Sequence, residues 1–328
     1  MTREHLKLEV VRFYYFENLN QNEIARKIGI SRSYVSKLLI EARKEKLIEF
    51  KSRNPWLTET EEERLLKNHY NLKKVMIVSK EINCRRESIP FAKELGEKLN
   101  EFLNTILNNG DVIGVAWGKT IYECSKYLYT DTTFRDVKVV QICGGVSQSQ
   151  NSTYSSEISK NFADAFHANS YSLPIPAIVE SREYKEIFYQ EQGIRQVRKV
   201  LDDVNIAIFT VGQCSMDSSL VRSGYITEEG IQGLIRDGAI GEVCTHFINQ
   251  KGQCVSLELD ERTVAVPMER LQKCDFRIAV ILGKERLEPL KAILDAGYPN
   301  VLIIDEETAS VLLKETESFL YNIKCKGS

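Results

Sequence analysis

No apolar stretch in this sequence reaches the ~18 residues that a membrane-crossing helix requires. The opening residues, MTREHLKLEV, lack the apolar core of a secretory signal. These two absences set the expectation of a cytoplasmic chain with no membrane partner. The eight cysteines, at 84, 124, 143, 214, 244, 254, 274 and 325, never form a Cys-x-x-Cys pair, and only 4 histidines accompany them. No zinc or other metal site is expected, and the thiols read as reduced and packed. With 18 glycines and 7 prolines the chain is neither collagen-like nor low-complexity, and its 43% hydrophobic content excludes a wholly disordered polypeptide. No internal repeat is visible, and no glycine-rich Lys-Ser/Thr loop of the P-loop kind, so nucleotide hydrolysis is not indicated.

What is present is unevenly distributed. The 328 residues suggest about two domains. Residues 1–53 hold 12 Lys/Arg against 7 Asp/Glu, a net of +5, and the remainder holds 32 against 39, a net of −7. A basic head on an acidic body points the head toward an anionic partner. Leu6, Val10, Phe13 and Tyr14 recur at helical spacing over residues 4–17, with Lys7, Glu9 and Arg12 elsewhere. In NQNEIARKIGISRSYVSKLLIEARKEKLIEF (20–50), Asn20 and Glu23 read as a capping box, and Ile24, Ala25 and Ile28 as the inner face of a short helix. Gly29 stops that helix, Ile30 plugs the turn, and Ser31 caps the next helix, whose Val35, Leu38, Leu39 and Ala42 share one face. A small residue, a glycine four positions on and a hydrophobic lock six beyond that are what a helix-turn-helix requires. The opposite face carries Ser33, Ser36 and Lys37, with Tyr34 on its flank. These four would reach base edges in a major groove while Arg32 holds a phosphate. Lys46–Phe50 alternates like a short strand, a candidate wing.

The Asn-Pro in KSRNPWLT (51–58) breaks the periodicity, which sets the expected domains at 1–53, a linker and connecting helix at 54–72, and a body at 73–328. Leu65 and Leu66 of the connecting segment Thr60–Tyr70 would pack on the body or on a second subunit. In the body, apolar runs alternate with helical segments: Val75–Val78, Val112–Ala116, Val137–Cys143, Ile206–Val211, Ile278–Leu282 and Val301–Ile304. Between the first two, Phe91, Leu95, Phe102, Ile106 and Leu107 would face inward. Short β-branched runs of this kind are strands buried on both faces, so the fold class is α/β: an N-terminal helix-turn-helix followed by a doubly wound α/β body. Ligands of such sheets bind beyond the carboxyl ends of the strands. There stand Trp117-Gly118-Lys119-Thr120 before a helix, Cys143-Gly144-Gly145, Gly212-Gln213, and Gly283-Lys284-Glu285-Arg286. Helix-start N–H groups, a hydroxyl and a cation are the parts of an anion cradle. Lys119 reads as part of the cradle ahead of the alternative, a surface lysine; Arg286 reads equally as an ion-pair partner; Trp117 reads as a packing residue rather than a stacking platform. Glu242 either fixes a sugar hydroxyl or caps a strand. Asp305-Glu306-Glu307-Thr308 reads as a helix cap.

The head resembles the helix-turn-helix of the SorC family of bacterial transcriptional regulators. The body is similar to that family's sugar-binding domain at GDVIGVAWGKT (110–120), VVQICGG (139–145), SGYITEEGIQGLIRDGAIGEVCTHF (223–247) and ILGKERLEPLKAILDAGYPNVLIIDEETA (281–309). Within the family, the deoxyribonucleoside and sugar-phosphate regulators are nearest in character. The resemblance implies a tetramer that binds double-stranded operator DNA, and a body related to sugar-phosphate isomerases whose strand ends take a phosphorylated sugar, with no cofactor. It places Gly118, Lys119 and Thr120 on the phosphate, and Arg286, with Lys284 nearby, where the family often has a GxxK lysine. Cys143 stands where a basic residue is common, and it cannot form the imine that a lysine would make with an aldehyde sugar. Leu282 stands where a first glycine is usual.

An enzyme of the sugar-phosphate isomerase or deaminase type would need an acid and a base converging on the sugar. Of His5, His69, His167 and His246, only His246 lies in a motif-bearing segment, and it follows a strand rather than ending one. No catalytic residue is assigned, and a regulator is the expected function.

Overall fold

The computed structural model describes residues 2–45, 47–48, 54–79, 91–145 and 153–326, with the side chains of the last helix described through Thr316. The chain divides into two compact units, 1–53 and 54–328.

The first unit is three helices: α1 (Arg3–Tyr15), α2 (Gln21–Ile28) and α3 (Arg32–Lys44). The Asn20 side-chain oxygen accepts from the N–H groups of Asn22 (3.0 Å) and Glu23 (3.1 Å), and Glu23 Oε2 accepts from the Asn20 N–H at 2.8 Å. Gly29 adopts φ +79°, where a Cβ would be strained. Ser31 Oγ then accepts from the Tyr34 N–H at 3.2 Å and starts α3. Val10, Phe13, Ile24, Val35, Leu38 and Ala42 form one core. Lys7 departs from the sequence expectation: it is buried, its stem covered by the helices and its ammonium 2.6 Å from Glu45. The candidate wing at 46–50 lies outside the described residues except for Leu47 and Ile48, which form a bend.

The second unit begins with a 3₁₀ turn at Pro55–Leu57 and helix α4 (Glu61–His69), capped reciprocally by Thr60 and Glu63. Leu66 of α4 is fully buried in the main core, while Leu65 is half-buried. The strands are β1 (Lys74–Val78), β2 (Val112–Val115), β3 (Lys138–Gln141), β4 (Asn169–Tyr171), β5 (Ile206–Phe209), β6 (Val211–Gln213), β7 (Gly241–Val243), β8 (His246–Ile248), β9 (Phe276–Ile281) and β10 (Val301–Asp305). Seven form a parallel sheet in the order β1-β10-β9-β5-β2-β3-β4. Helices cover its faces, so β5 and β10 are buried at every residue. One of them, α5 (Ala92–Ile106), sends Leu95, Phe102 and Ile106 into the core, with Phe91 and Leu107 at its ends.

The chain leaves β2 toward β3 on one side and β5 toward β9 on the other. The neighbours β2 and β5 therefore form a topological switch point, where the carboxyl ends of the strands open a crevice. Two features depart from the sequence reading. The run Ile206–Val211 is not one strand: it breaks at Thr210, and β6 leaves for a small antiparallel sheet, β6-β7-β8. The edge strand β4 (Asn-Ser-Tyr) is exposed at two of its three positions and carries no apolar run.

Candidate functional site

On the first unit, α3 presents Arg32, Ser33 and Lys37 as exposed side chains and Ser36 as half-exposed. Tyr34 is half-buried and packs on the three-helix core, which fixes its ring at the edge of that face. Neither Arg32 nor Lys37 has an ion-pair partner among the described residues, whereas Arg3, Arg12 and Lys27 are paired with Glu41, Glu17 and Glu17. Arg26, on the outer side of α2, is a further exposed cation with no ion pair among the described residues, and no motif of the sequence marks it.

On the second unit, β2 ends at Val115, and Gly118 (φ +141°) turns the chain into helix α6 (Lys119–Ser125). Two cavities meet there. One, of about 340 Å³, is lined by Lys119, Thr120, Gly283, Lys284, Arg286 and Asp305 among others. The other, of about 260 Å³, is lined by Trp117, Gly118, Lys119, Tyr154, Ser219 and Arg222 among others. Lys119 is exposed and belongs to both. Thr120 is buried, yet its hydroxyl has no hydrogen-bond partner among the described residues. Thr210, where the strand run breaks, carries a buried hydroxyl with no partner among the described residues; its methyl would lie 3.7 Å from a Cβ built on Gly118.

The far wall of the larger cavity is built around Asp305. Its buried carboxylate accepts from the N–H of Gly283 (3.0 Å), the N–H of Thr308 (2.9 Å) and the hydroxyl of Thr308 (2.7 Å). One side chain thus caps the helix 306–326 and pins the Gly283 turn (φ +100°). Arg286 donates to the Leu282 carbonyl and lies 3.5 Å from Glu285. Burial pulls its pKa down, against the upward pull of Glu285, Glu242 and Asp305. Lys284 pairs with Glu307 at 3.3 Å on the exposed lip.

Six sequence-selected residues line neither cavity: Cys143, Gly144, Gly145, Gly212, Gln213 and Glu242. Cys143 is buried, and desolvation pushes its thiol up to about 12. Gly144 is a close-approach glycine. Its N–H donates to the Val264 carbonyl (2.7 Å), its carbonyl accepts from the Trp117 indole (2.9 Å), and a Cβ would sit 2.5 Å from the Pro176 carbonyl oxygen. Trp117 is accordingly a packing residue, tied by its indole N–H and lying 6.2 Å from the Tyr225 ring. Gly145 is crowded by Ser155 in the same way, and Gly212 lies where a Cβ would meet the Glu242 carboxylate at 2.2 Å. Gly144→Ala should therefore destabilise the body by about 1–3 kcal/mol through overpacking, read as a lowered Tm; an unchanged Tm would mean that the segment relaxes freely.

Glu242 lies on β7, where Oε2 accepts from the Thr245 N–H at 2.9 Å and closes the β7–β8 turn, whose Cys244 and Thr245 both have positive φ. Its strand-capping alternative is the one the geometry realises. Burial raises the pKa of its carboxyl, against the Thr245 N–H, His246 and Arg286. The sequence reading passed over Arg222, Ser219 and Tyr154. Arg222 and Ser219 lie on a four-residue helix, Ser219–Arg222, without apolar periodicity; Tyr154 stacks on Tyr122 at 4.2 Å.

His246 is the first residue of β8, buried, with Nδ1 2.5 Å from Asp260 and Nε2 3.1 Å from the Val266 carbonyl. Both ring nitrogens are engaged, and the residue lines neither cavity, so it does not form the acid–base pair an isomerase needs. The bond to His246 is the first cause of a lowered Asp260 pKa, with burial opposing it. A carboxylate lowered in the folded state adds stability above its unfolded pKa, about 3.9, and loses it as pH falls through the folded value. Wild type should therefore melt above Asp260→Asn at neutral pH, and the two Tm values should converge below about pH 4; a constant gap would show that the ionised Asp260 carboxylate is not its source.

Residues 55–314 match the family model described as "Putative sugar-binding domain", and residues 7–45 match sigma-70 region 4. The chain is 29% identical over 313 residues to the deoxyribonucleoside regulator of Bacillus subtilis (strain 168), covering 95% of this chain and 98% of that one. It is 24% identical over 315 residues to the sorbitol operon regulator of Klebsiella pneumoniae, covering 94% and 98%. The crystal structure of the full-length sorbitol operon regulator SorC from Klebsiella pneumoniae superposes with a TM-score of 0.70 at 23% identity, covering 95% of this chain and 99% of that one.

Proposed function

Because this chain belongs to the SorC family of bacterial transcriptional regulators, with its sugar-binding domain spanning residues 55–314, we propose that a phosphorylated sugar, bound at the β2–β5 switch point, controls its affinity for operator DNA. It is a sugar-responsive transcriptional regulator and not an enzyme; the relatives named above are regulators. The observation that carries the finer reading is the meeting of two cavities at Lys119, with the Thr120 hydroxyl, unpartnered among the described residues, on the wall of one. Gly118, Lys119 and Thr120 receive the phosphate through backbone N–H groups, a hydroxyl and a charge. Gly283, Lys284 and Arg286 close the far side, and Arg222 answers the remainder of the ligand from the second cavity.

The DNA face is α3, with Ser33, Tyr34, Ser36 and Lys37 toward base edges and Arg32 on a phosphate. Two such heads meet two half-sites about one helical turn apart, so the protein acts in the cytoplasm as a homo-oligomer, a tetramer in this reading. A thermal-shift screen of the full chain against pentose and hexose phosphates tests the effector class. A specific ligand at 100 times its Kd stabilises by about 2.7 kcal/mol, and its dephosphorylated counterpart should shift Tm far less. Equal shifts from both members of every pair would overturn the phosphate assignment.

A further inference from the structure

We propose that the cavity between the helices of residues 182–202 and the segment 265–270 is a second ligand site, one that takes a small organic carboxylate with an apolar body. It lies apart from the crevice at Lys119 and shares no lining residue with it. Its volume is about 280 Å³, near the lower end of the ~300–1,000 Å³ that small-molecule pockets span. Leu173, Leu201 and Val266 supply apolar wall, and Lys185 and Arg198 stand at its rim.

Both cations stand beside Tyr189, a lining residue of the cavity. Lys185 Nζ lies 5.8 Å from the centroid of the Tyr189 ring, and the Arg198 guanidinium lies 4.1 Å from the same centroid. Neither has a carboxylate within ion-pair distance among the described residues. Some helix lysines of the body have such partners, Lys98 with Glu101, Lys126 with Glu123 and Lys291 with Glu315, each within 2.8 Å, and others, such as Lys119 and Lys160, have none among the described residues. At this cavity two cations stand against one aromatic ring, and the carboxylate that also lines it, Asp202, is not within ion-pair distance of either. Burial lowers the Lys185 pKa, with Arg182 and Arg198 adding to it and Asp260 and Glu186 opposing. A bound anion would relieve both the desolvation and the repulsion.

The third lining cation, Arg270, is already committed, since its guanidinium donates to the carbonyls of Asp202 and Val204. Two free cations over an apolar floor suit a single carboxylate head with a short hydrocarbon body. A bare phosphate would leave that floor without a partner. The floor also connects to the rest of the body: the Val266 N–H donates to the Ile142 carbonyl at 2.8 Å, and its own carbonyl faces His246. A ligand here would therefore press on the segment that continues β3.

Isothermal titration of the full chain with hexanoate tests the site, with hexanol and inorganic phosphate as controls. Hexanoate should bind at least about tenfold more tightly than hexanol, and inorganic phosphate should not displace it. Lys185→Met and Arg198→Gln should each weaken hexanoate about tenfold or more, as expected for losing a charge-assisted contact. Lys185→Arg, which keeps the charge, should retain binding, and Thr120→Ala should leave it unchanged. Three results would each overturn the proposal: no hexanoate binding at concentrations on the order of 10 mM, binding indifferent to both cation substitutions, or binding lost in Thr120→Ala. Phosphate binding that Lys185→Met and Arg198→Gln weaken as much as they weaken hexanoate binding would overturn it too.

Discussion

Thr120→Ala is expected to leave operator binding intact while raising the effector concentration at half-response by about 5- to 150-fold, a loss of about 1–3 kcal/mol. The residue is buried, but its hydroxyl has no partner among the described residues, and it lines the 340 Å³ cavity beside Lys119. That hydroxyl opens on the cavity, where a phosphate oxygen would take the place of water as its partner. The backbone N–H groups at the start of α6 remain in the variant, so binding is weakened and not abolished. An effector acts only through a difference in affinity between two states of the protein. The shift should therefore appear in the midpoint of an operator-binding titration and not in its effector-free baseline. If the substitution lowers Tm and leaves the midpoint unmoved, the WGKT turn is a structural element and Thr120 does not touch the ligand.

Lys37→Ala and Arg32→Ala should separate by the kind of DNA they affect. Lys37 is exposed in the middle of α3 without an ion-pair partner among the described residues. A bidentate contact from it to a base is worth about 1–3 kcal/mol, and its loss should relax sequence preference at one operator position. Arg32 opens α3 beside the Ser31 cap, a position suited to phosphate. Arg32→Ala should weaken all sequences about equally and lower the slope of log affinity against log salt by roughly one. Measurement of both variants on operator and scrambled duplexes over a range of salt checks the assignment. Uniform weakening by Lys37→Ala, or an unchanged salt slope for Arg32→Ala, would contradict it.

Local chemistry explains which parts of this architecture the sequence made legible. The helix-turn-helix was readable because each of its signals acts within a few residues: the Asn20–Glu23 capping box, the left-handed Gly29 and the Ser31 cap all depend on neighbours in the chain. The parallel strands were readable because burial on both faces demands uninterrupted apolar runs. β4 was not, since an exposed edge strand needs no such run. Nor was the break at Thr210, because β-branched residues continue on both sides of it while the hydrogen bonding passes from one sheet to another. Gly118, Lys119, Thr120, Gly283, Lys284 and Arg286 were found as strand-end residues, and the fold brings the last five of them around one cavity. Glycine at a strand end was a weaker guide at Gly144, Gly145 and Gly212, where the missing Cβ makes room for carbonyls, Ser155 and Glu242 within the body. Arg222 was invisible because only the folded chain carries a four-residue helix to the rim of the site.

The central claim is that a phosphorylated sugar at the β2–β5 switch point sets the affinity for operator DNA. Its most direct test is an operator-binding titration of the full chain against pairs of sugars that differ only in the phosphate. At least one phosphorylated member should shift the operator Kd several-fold at concentrations where its unphosphorylated partner does nothing. A response to the unphosphorylated sugar alone, or equal responses to both members of each pair, would contradict the account.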